Sequence, residues 1–139
     1  KISPNKDEKF QRIRIRKLIE ELRKDGFDRN KFLKTIKNLK YSNNVINFYV
    51  AENLKQNTFF SNNDKRLILN RSFFFKSYEV VFRGLSDSLK KIGGKYYSVR
   101  GKKLDKMIND IQNNRLFRST LGGCIVEKVN RTIIISKEG

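Results

Sequence analysis

The chain has 139 residues, of which 32 are Lys or Arg, 14 are Asp or Glu and none is His, for a net charge of +18. With 37% hydrophobic residues and eleven Phe it can fill a modest core, which excludes a disordered basic tail. One Cys and no His exclude an internal disulfide, a His/Cys zinc centre and any Ser-His or Cys-His nucleophile pair. Charge of this density opposes a compact fold and implies a polyanionic partner, with nucleic acid the first candidate at a pI near 10.2. AT-rich coding would also enrich Lys, Asn, Ile and Phe, but it favours Asp and Glu codons too, and the acids are few. No apolar run approaches the ~20 residues of a membrane span, and the start has no signal-peptide core. A cytoplasmic protein without a membrane partner is expected. The opening Lys1-Ile2-Ser3-Pro4, without an initiator Met, is compatible with a piece of a longer chain.

Along the chain, Phe10, Ile13, Leu18, Ile19 and Leu22 form one stripe of a helix from about Asp7 to Arg23. Acids in its first turn and Arg23 and Lys24 in its last complement the helix dipole, and Asp25-Gly26 ends it. Asp28 caps a second, longer helix whose apolar face runs from Phe32 to Val50, with Ser42-Asn43-Asn44 as a midway break or kink. The short link between the two predicts an antiparallel helical hairpin. Asn57 to Asp64 reads as a turn, Leu67 to Leu69 as a short strand, and Phe73-Phe74-Phe75 as core or an interdomain contact rather than a base-stacking platform. A third helix is predicted from Ser77 to Ile92, ended by Gly93-Gly94, and a fourth from Val99 to Asn113. The period then changes to short β-branched runs at Phe117–Leu121, Cys124–Val129 and Thr132–Ser136, separated by Gly122-Gly123 and Asn130-Arg131, which suit tight turns. The fold class is therefore α+β, mainly α: a helical hairpin, two further amphipathic helices and a small C-terminal antiparallel β-meander.

Two basic constellations are candidates for binding. Arg12 and Arg16 share a helix face, four residues apart, and two guanidinium forks could grip adjacent phosphates. The alternative is a solvated helix in which they pair with Glu20 and Glu21. Lys90, Lys91, Lys95, Arg100, Lys102 and Lys103 bracket Gly93-Gly94 and Tyr96-Tyr97, and cations interleaved with aromatics around a turn suit RNA. The alternative there is that the tyrosines pack beneath the loop and the lysines are solvated. Leu121-Gly122-Gly123-Cys124 lacks the Lys-Ser/Thr of a phosphate loop and reads as a hairpin turn, with Cys124 a small buried hydrophobe. Asp87 reads as an ion-pair partner of Arg83 rather than an acid–base group. No catalytic constellation and no metal site is present in the sequence.

Asn5-x-Asp7-x-x-Phe10-x-Arg12-x-x-x-Arg16, followed by Leu18 and Leu22, resembles a segment of the tRNA(Ile)-lysidine synthases. Glu79-Val80-x-x-Arg83-x-Leu85, Ile92-Gly93-Gly94-x-x-Tyr97, Leu121-Gly122-Gly123-Cys124 and Lys137-Glu138 resemble the C-terminal region of the same family, so the likeness spans nearly the whole chain. The lead-in, Ile2-Ser3-Pro4-Asn5, is rearranged, and Ile13 stands where the family has Asn. The carry-over at this end therefore rests on Arg12 and Arg16. The resemblance implies a part of an enzyme that uses ATP, with Mg, and lysine to convert the wobble cytidine of the CAU-anticodon isoleucine tRNA to lysidine. That complete enzyme is a ligase forming a C–N bond. The family's Ser-Gly-Gly-x-Asp-Ser loop is absent from this sequence, so no cofactor and no activity are expected of this chain alone. Residues 1–24 would be the last helix of the catalytic domain and 25–139 the tRNA-binding domain. Arg12 and Arg16 would face the tRNA or the cleft, and Arg83, Lys90, Lys91, Lys95, Arg100, Lys102 and Lys103 would contact the tRNA backbone. The alternative reading is a stand-alone basic RNA- or DNA-binding module without catalysis.

Overall fold

The computed structural model describes residues 6–24, 29–95, 98–99 and 101–139. In chain order these form α1 (Lys6–Lys24), α2 (Arg29–Asn57), β1 (Thr58–Ser61), β2 (Arg66–Leu69), a 3-10 helix (Arg71–Phe75), α3 (Tyr78–Gly93), α4 (Gly101–Gln112), β3 (Arg118–Leu121), β4 (Cys124–Val129) and β5 (Thr132–Lys137). The fold is α+β with mostly helical content, as the sequence implies. The chain divides into two packing units, Lys1–Ile46 and Asn47–Gly139. This is a division by contact, distinct from the functional boundary after residue 24 that the family resemblance implies. The Asp25-Gly26 and Asp28 caps, the link they define, Tyr96-Tyr97 and Arg100 lie outside the described residues, as does the lead-in up to Asn5.

The first unit holds α1 and the opening turns of α2. Phe10 and Ile13 of α1 are exposed, and Arg14 lies 5.9 Å from the centre of the Phe10 ring. Leu33, Ile36 and Leu39 of α2 are exposed as well. The expected break at Ser42-Asn43-Asn44 is absent, because α2 is helical throughout. Ser and Asn each cost only a few tenths of a kcal/mol against Ala inside a helix, which longer flanking helical segments absorb.

The second unit is built on an antiparallel sheet of order β1-β2-β5-β4-β3. Alternation places Leu67, Leu69, Cys124, Val126, Ile133 and Ile135 in the core, where the stripes of α3 and α4 meet them. β3 pairs with β4 and β4 with β5, and the register sets Leu121 opposite Cys124 and Val129 opposite Thr132. β5 then pairs with β2, which joins the C-terminal strands to the earlier pair. The turn expected from Asn57 to Asp64 is only partly a turn. Thr58–Ser61 is an edge strand with Phe59 opposite Ile68 and Phe60 opposite Leu67. The β-propensity of Thr-Phe-Phe and a ready partner in β2 outweigh the flanking asparagines.

Three asparagines fasten the end of α2 to this sheet. Asn53, 2% exposed, donates to the Phe73 carbonyl at 3.2 Å and accepts from Asn57 at 2.8 Å. Asn70 donates to Asn57 Oδ1 at 3.2 Å, and its own Oδ1 accepts the Phe73 N–H at 3.1 Å, capping the 3-10 helix. Phe73 and Phe74 are thereby driven into the core while Phe75 is left outside it. Replacing Asn53 by Ala strands the Phe73 carbonyl and the Asn57 amide in the interior. The expected loss is about 1–3 kcal/mol in urea unfolding. Phe59→Ala, at a ring 67% exposed, is expected to change stability by no more than about 0.5 kcal/mol. Equal effects of the two substitutions would show that the asparagine chain is not a fastening.

Candidate nucleic-acid interface

α3 is amphipathic, with Val81, Leu85 and Leu89 fully buried along one stripe. Its last turn closes at Gly94, whose φ of 69° lets its N–H return to the Lys90 carbonyl at 3.1 Å. That end lands on the β3–β4 turn, Gly122-Gly123, where both residues have positive φ. A Cβ on Gly93 would collide with the Gly122 carbonyl oxygen and lie 3.1 Å from Cys124 Sγ. A Cβ on Gly122 would collide with Val99. Cys124 Sγ bonds to the Leu89 carbonyl at 3.2 Å, and the Glu138 N–H donates to the Gly123 carbonyl at 2.9 Å. Two glycine pairs from separate parts of the sequence therefore form one junction of helix end, hairpin turn and β5 terminus.

Two cations flank that junction, and others follow on the helices that meet it. A Cβ on Gly123 would be 3.0 Å from the Lys95 side chain, and one on Gly94 would be 3.7 Å from Lys137 Nζ. Lys90 and Lys91 are exposed in the last turn of α3, where they complement the negative end of the helix dipole. Lys91 Nζ lies 5.3 Å from the centre of the Phe60 ring. Lys102 and Lys103 are exposed in the first turn of α4, shortly after Val99, and no acid shares that turn. Their charge meets the positive end of a helix, so the dipole gives no reason for them. Among the described residues, none of these lysines has a carboxylate within 4.0 Å. Two acids do enter the cluster. Burial pushes the Asp87 carboxyl up, opposed by Lys90 and Arg83, and Glu138 is felt by Cys124.

The other expected contacts fall elsewhere. Arg83 pairs with Glu79 at 2.9 Å and donates to Asn47 at 3.0 Å, while its charge also acts on Asp87. It fastens α3 to α2 within the second unit. Arg12 and Arg16 are exposed on α1, in the first unit. Arg100 lies outside the described residues. Lys137, which the sequence names only within the family resemblance and not among the expected contacts, is placed opposite Cys124 by the register. Sequence reasoning passed over Arg71, Lys128 and Arg131, which line a cleft with Phe75. The signals available for these were an arginine beside the Phe73–Phe75 run and another in the Asn130-Arg131 turn.

The junction presents close glycine contacts and exposed ammonium groups. Among the described residues no group of three His, Cys, Asp or Glu side chains could hold a metal ion, and no helix is long and apolar enough to cross a membrane. No protein-family model, curated protein or solved structure matches the chain.

Two outcomes follow from the junction's geometry. Gly93→Ala forces helix and turn apart and is expected to cost about 1–3 kcal/mol in urea unfolding. An unchanged midpoint would mean the close approach is not required. Burial, followed by the charge of Glu138, raises the Cys124 thiol from 9.0 to about 11. Above pH 9 the unfolded thiol ionises while the folded one keeps its proton, so this group's contribution to stability falls as pH rises from about 9 to 11. Cys124→Ala is expected to flatten that part of the stability profile, as read by denaturation at a series of pH values. An unaltered slope would show that Cys124 does not titrate with unfolding.

Proposed function

We propose that this chain grips RNA through the lysines around the glycine junction and is the tRNA-binding part of a tRNA(Ile)-lysidine synthase. In this reading α1 and α2 form a helical hairpin, β3 to β5 a C-terminal meander, and ATP and lysine are substrates of the complete enzyme. The observation that carries the reading is the meeting of Ile92-Gly93-Gly94 with Leu121-Gly122-Gly123-Cys124. These two stretches carry the family resemblance separately in sequence, and in space they share one packed contact flanked by Lys95 and Lys137, with Lys90 and Lys91 exposed in the helix turn that leads into it. A rigid backbone junction with mobile ammonium groups around it suits a phosphate backbone of fixed shape, since the contacts position the RNA and demand no particular base. Lys102 and Lys103, set against the dipole of α4, support it further, because an anion between them and the helix end relieves the repulsion.

The test is competition binding with labelled CAU-anticodon isoleucine tRNA against methionine tRNAs of the same anticodon and duplex DNA, at two salt concentrations. A preference for the isoleucine tRNA that persists in added salt is expected. Equal binding to all competitors, lost together as salt rises, would favour the stand-alone RNA- or DNA-binding module. Changing Lys90, Lys91 and Lys95 together to Gln is expected to weaken tRNA binding. The slope of log affinity against log salt should fall by about 0.7–0.9 for each phosphate contact removed. An unchanged affinity and slope would take the RNA away from this junction.

A further inference from the structure

A second basic surface of the same unit is unused by the reading above. A cleft of about 240 Å³ opens between the 3-10 helix, the end of α4 and the β4–β5 turn. Arg71, Lys128 and Arg131 reach it from three different elements, and no carboxylate lines it. Lys128 Nζ donates to Asn114 Oδ1 at 3.3 Å, a neutral acceptor that leaves its charge uncancelled. Among the described residues none of the three cations has a carboxylate within 4.0 Å.

Phe75 distinguishes this cleft from a merely solvated basic surface. Its neighbours Phe73 and Phe74 are in the core, yet Phe75 is 70% exposed at the cleft wall, with the Arg71 guanidinium 5.3 Å from its ring centre. An exposed aromatic ring beside three cations, one of them over the ring, is the pairing that single-stranded nucleic acid uses, with the base on the ring and the phosphate on the cations. Asn114 and Asn130 also line the space and carry both donors and acceptors for a base edge. The volume lies below the ~300–1,000 Å³ of pockets that enclose drug-sized ligands, so it suits one nucleotide and not a duplex groove.

The geometry points to a subsite for one unpaired nucleotide of an RNA, its base stacked on Phe75 and its phosphate held by Arg71, Lys128 and Arg131. This rests on the reading that the chain binds RNA. It adds to that reading a place where a base leaves its helix. A base stacked on a ring contributes a term that salt does not screen, unlike the lysines at the junction.

The test measures anisotropy of a labelled short oligouridylate and of its abasic counterpart, which has the same backbone charge. The proteins are the unchanged chain, Phe75→Ala, and an Arg71→Gln/Arg131→Gln pair. All three altered positions are exposed, and circular dichroism checks that the fold is retained. Phe75→Ala is expected to weaken oligouridylate binding by roughly 5- to 100-fold and to leave the abasic strand unaffected. The arginine pair should weaken both strands. Equal affinity of Phe75→Ala and the unchanged chain for oligouridylate would overturn the subsite, as would an equal loss on the abasic strand. If that happens while the Lys90, Lys91 and Lys95 substitutions still weaken tRNA binding, the subsite alone fails. If neither oligouridylate nor tRNA binds, the RNA reading fails with it. Preferential binding of an acidic peptide over the oligouridylate would also overturn the assignment.

Discussion

The contact between Gly93 and Gly122 constrains the second unit more than any other. It sets the distance between the end of α3 and the β3–β4 turn at a value that no side chain permits. Several features depend on that distance. Cys124 can reach the Leu89 carbonyl only because the helix end is so near, and Val99 fills the space over Gly122. The β5 terminus is drawn in through the bond from Glu138 to Gly123. Glycine lowers the stability of a helix by up to about 1 kcal/mol against Ala, so its presence within the last turn of α3 needs a compensating gain. The close approach supplies it, and it also fixes the backbone from which Lys95 and Lys137 extend.

Against that frame of fixed backbone, the charge of the chain sorts into kinds. Some cations are explained by the fold. Arg83 joins α3 to α2 through Glu79 and Asn47, Arg115 pairs with Asp110 at 3.5 Å, and Lys90 and Lys91 suit a helix C-terminus. Others have no such account. Lys102 and Lys103 oppose the dipole of α4, and Arg71, Lys128 and Arg131 converge on a cleft without an acid. Positions where a local rule is broken without internal compensation are where a partner is expected to supply it. The exposed Phe75 belongs with this second kind. Its burial would stabilise the fold by about 1.5–3 kcal/mol, yet the ring is held out of the core.

Much of the second unit was legible in the sequence because its signals are periodic. The stripes of α3 and α4 and the β-branched runs of β3 to β5 each repeat with the period of one element, and Gly122-Gly123 and Asn130-Arg131 mark the turns between strands. β1 was missed because four residues between asparagines carry too little pattern, and its partner β2 decides its state. The continuity of α2 through Ser42-Asn43-Asn44 was missed because weak propensities are outvoted by the flanking turns. At the site, Gly93-Gly94 and Gly122-Gly123 were both read correctly as local terminators. Their contact is a tertiary fact with no local signature. The same holds for the cleft, where Arg71, Asn114 and Arg131 become neighbours only through the sheet and α4.

The two basic surfaces differ in how they could recognise a polyanion. At the junction, flexible ammonium groups stand on a backbone held by glycine contacts, and under the proposed function they would follow a phosphate backbone with an affinity that weakens steeply with salt. In the cleft, planar guanidinium groups and an open ring can engage a nucleotide by stacking and by bidentate bonds, which depend on an unpaired base being available. A duplex offers phosphates everywhere but free bases nowhere, whereas a folded RNA offers both at fixed separations. A domain that carries both surfaces can therefore discriminate by the separation between a backbone track and one unstacked nucleotide. Such discrimination needs few base contacts, which fits a chain whose cations greatly outnumber its acids.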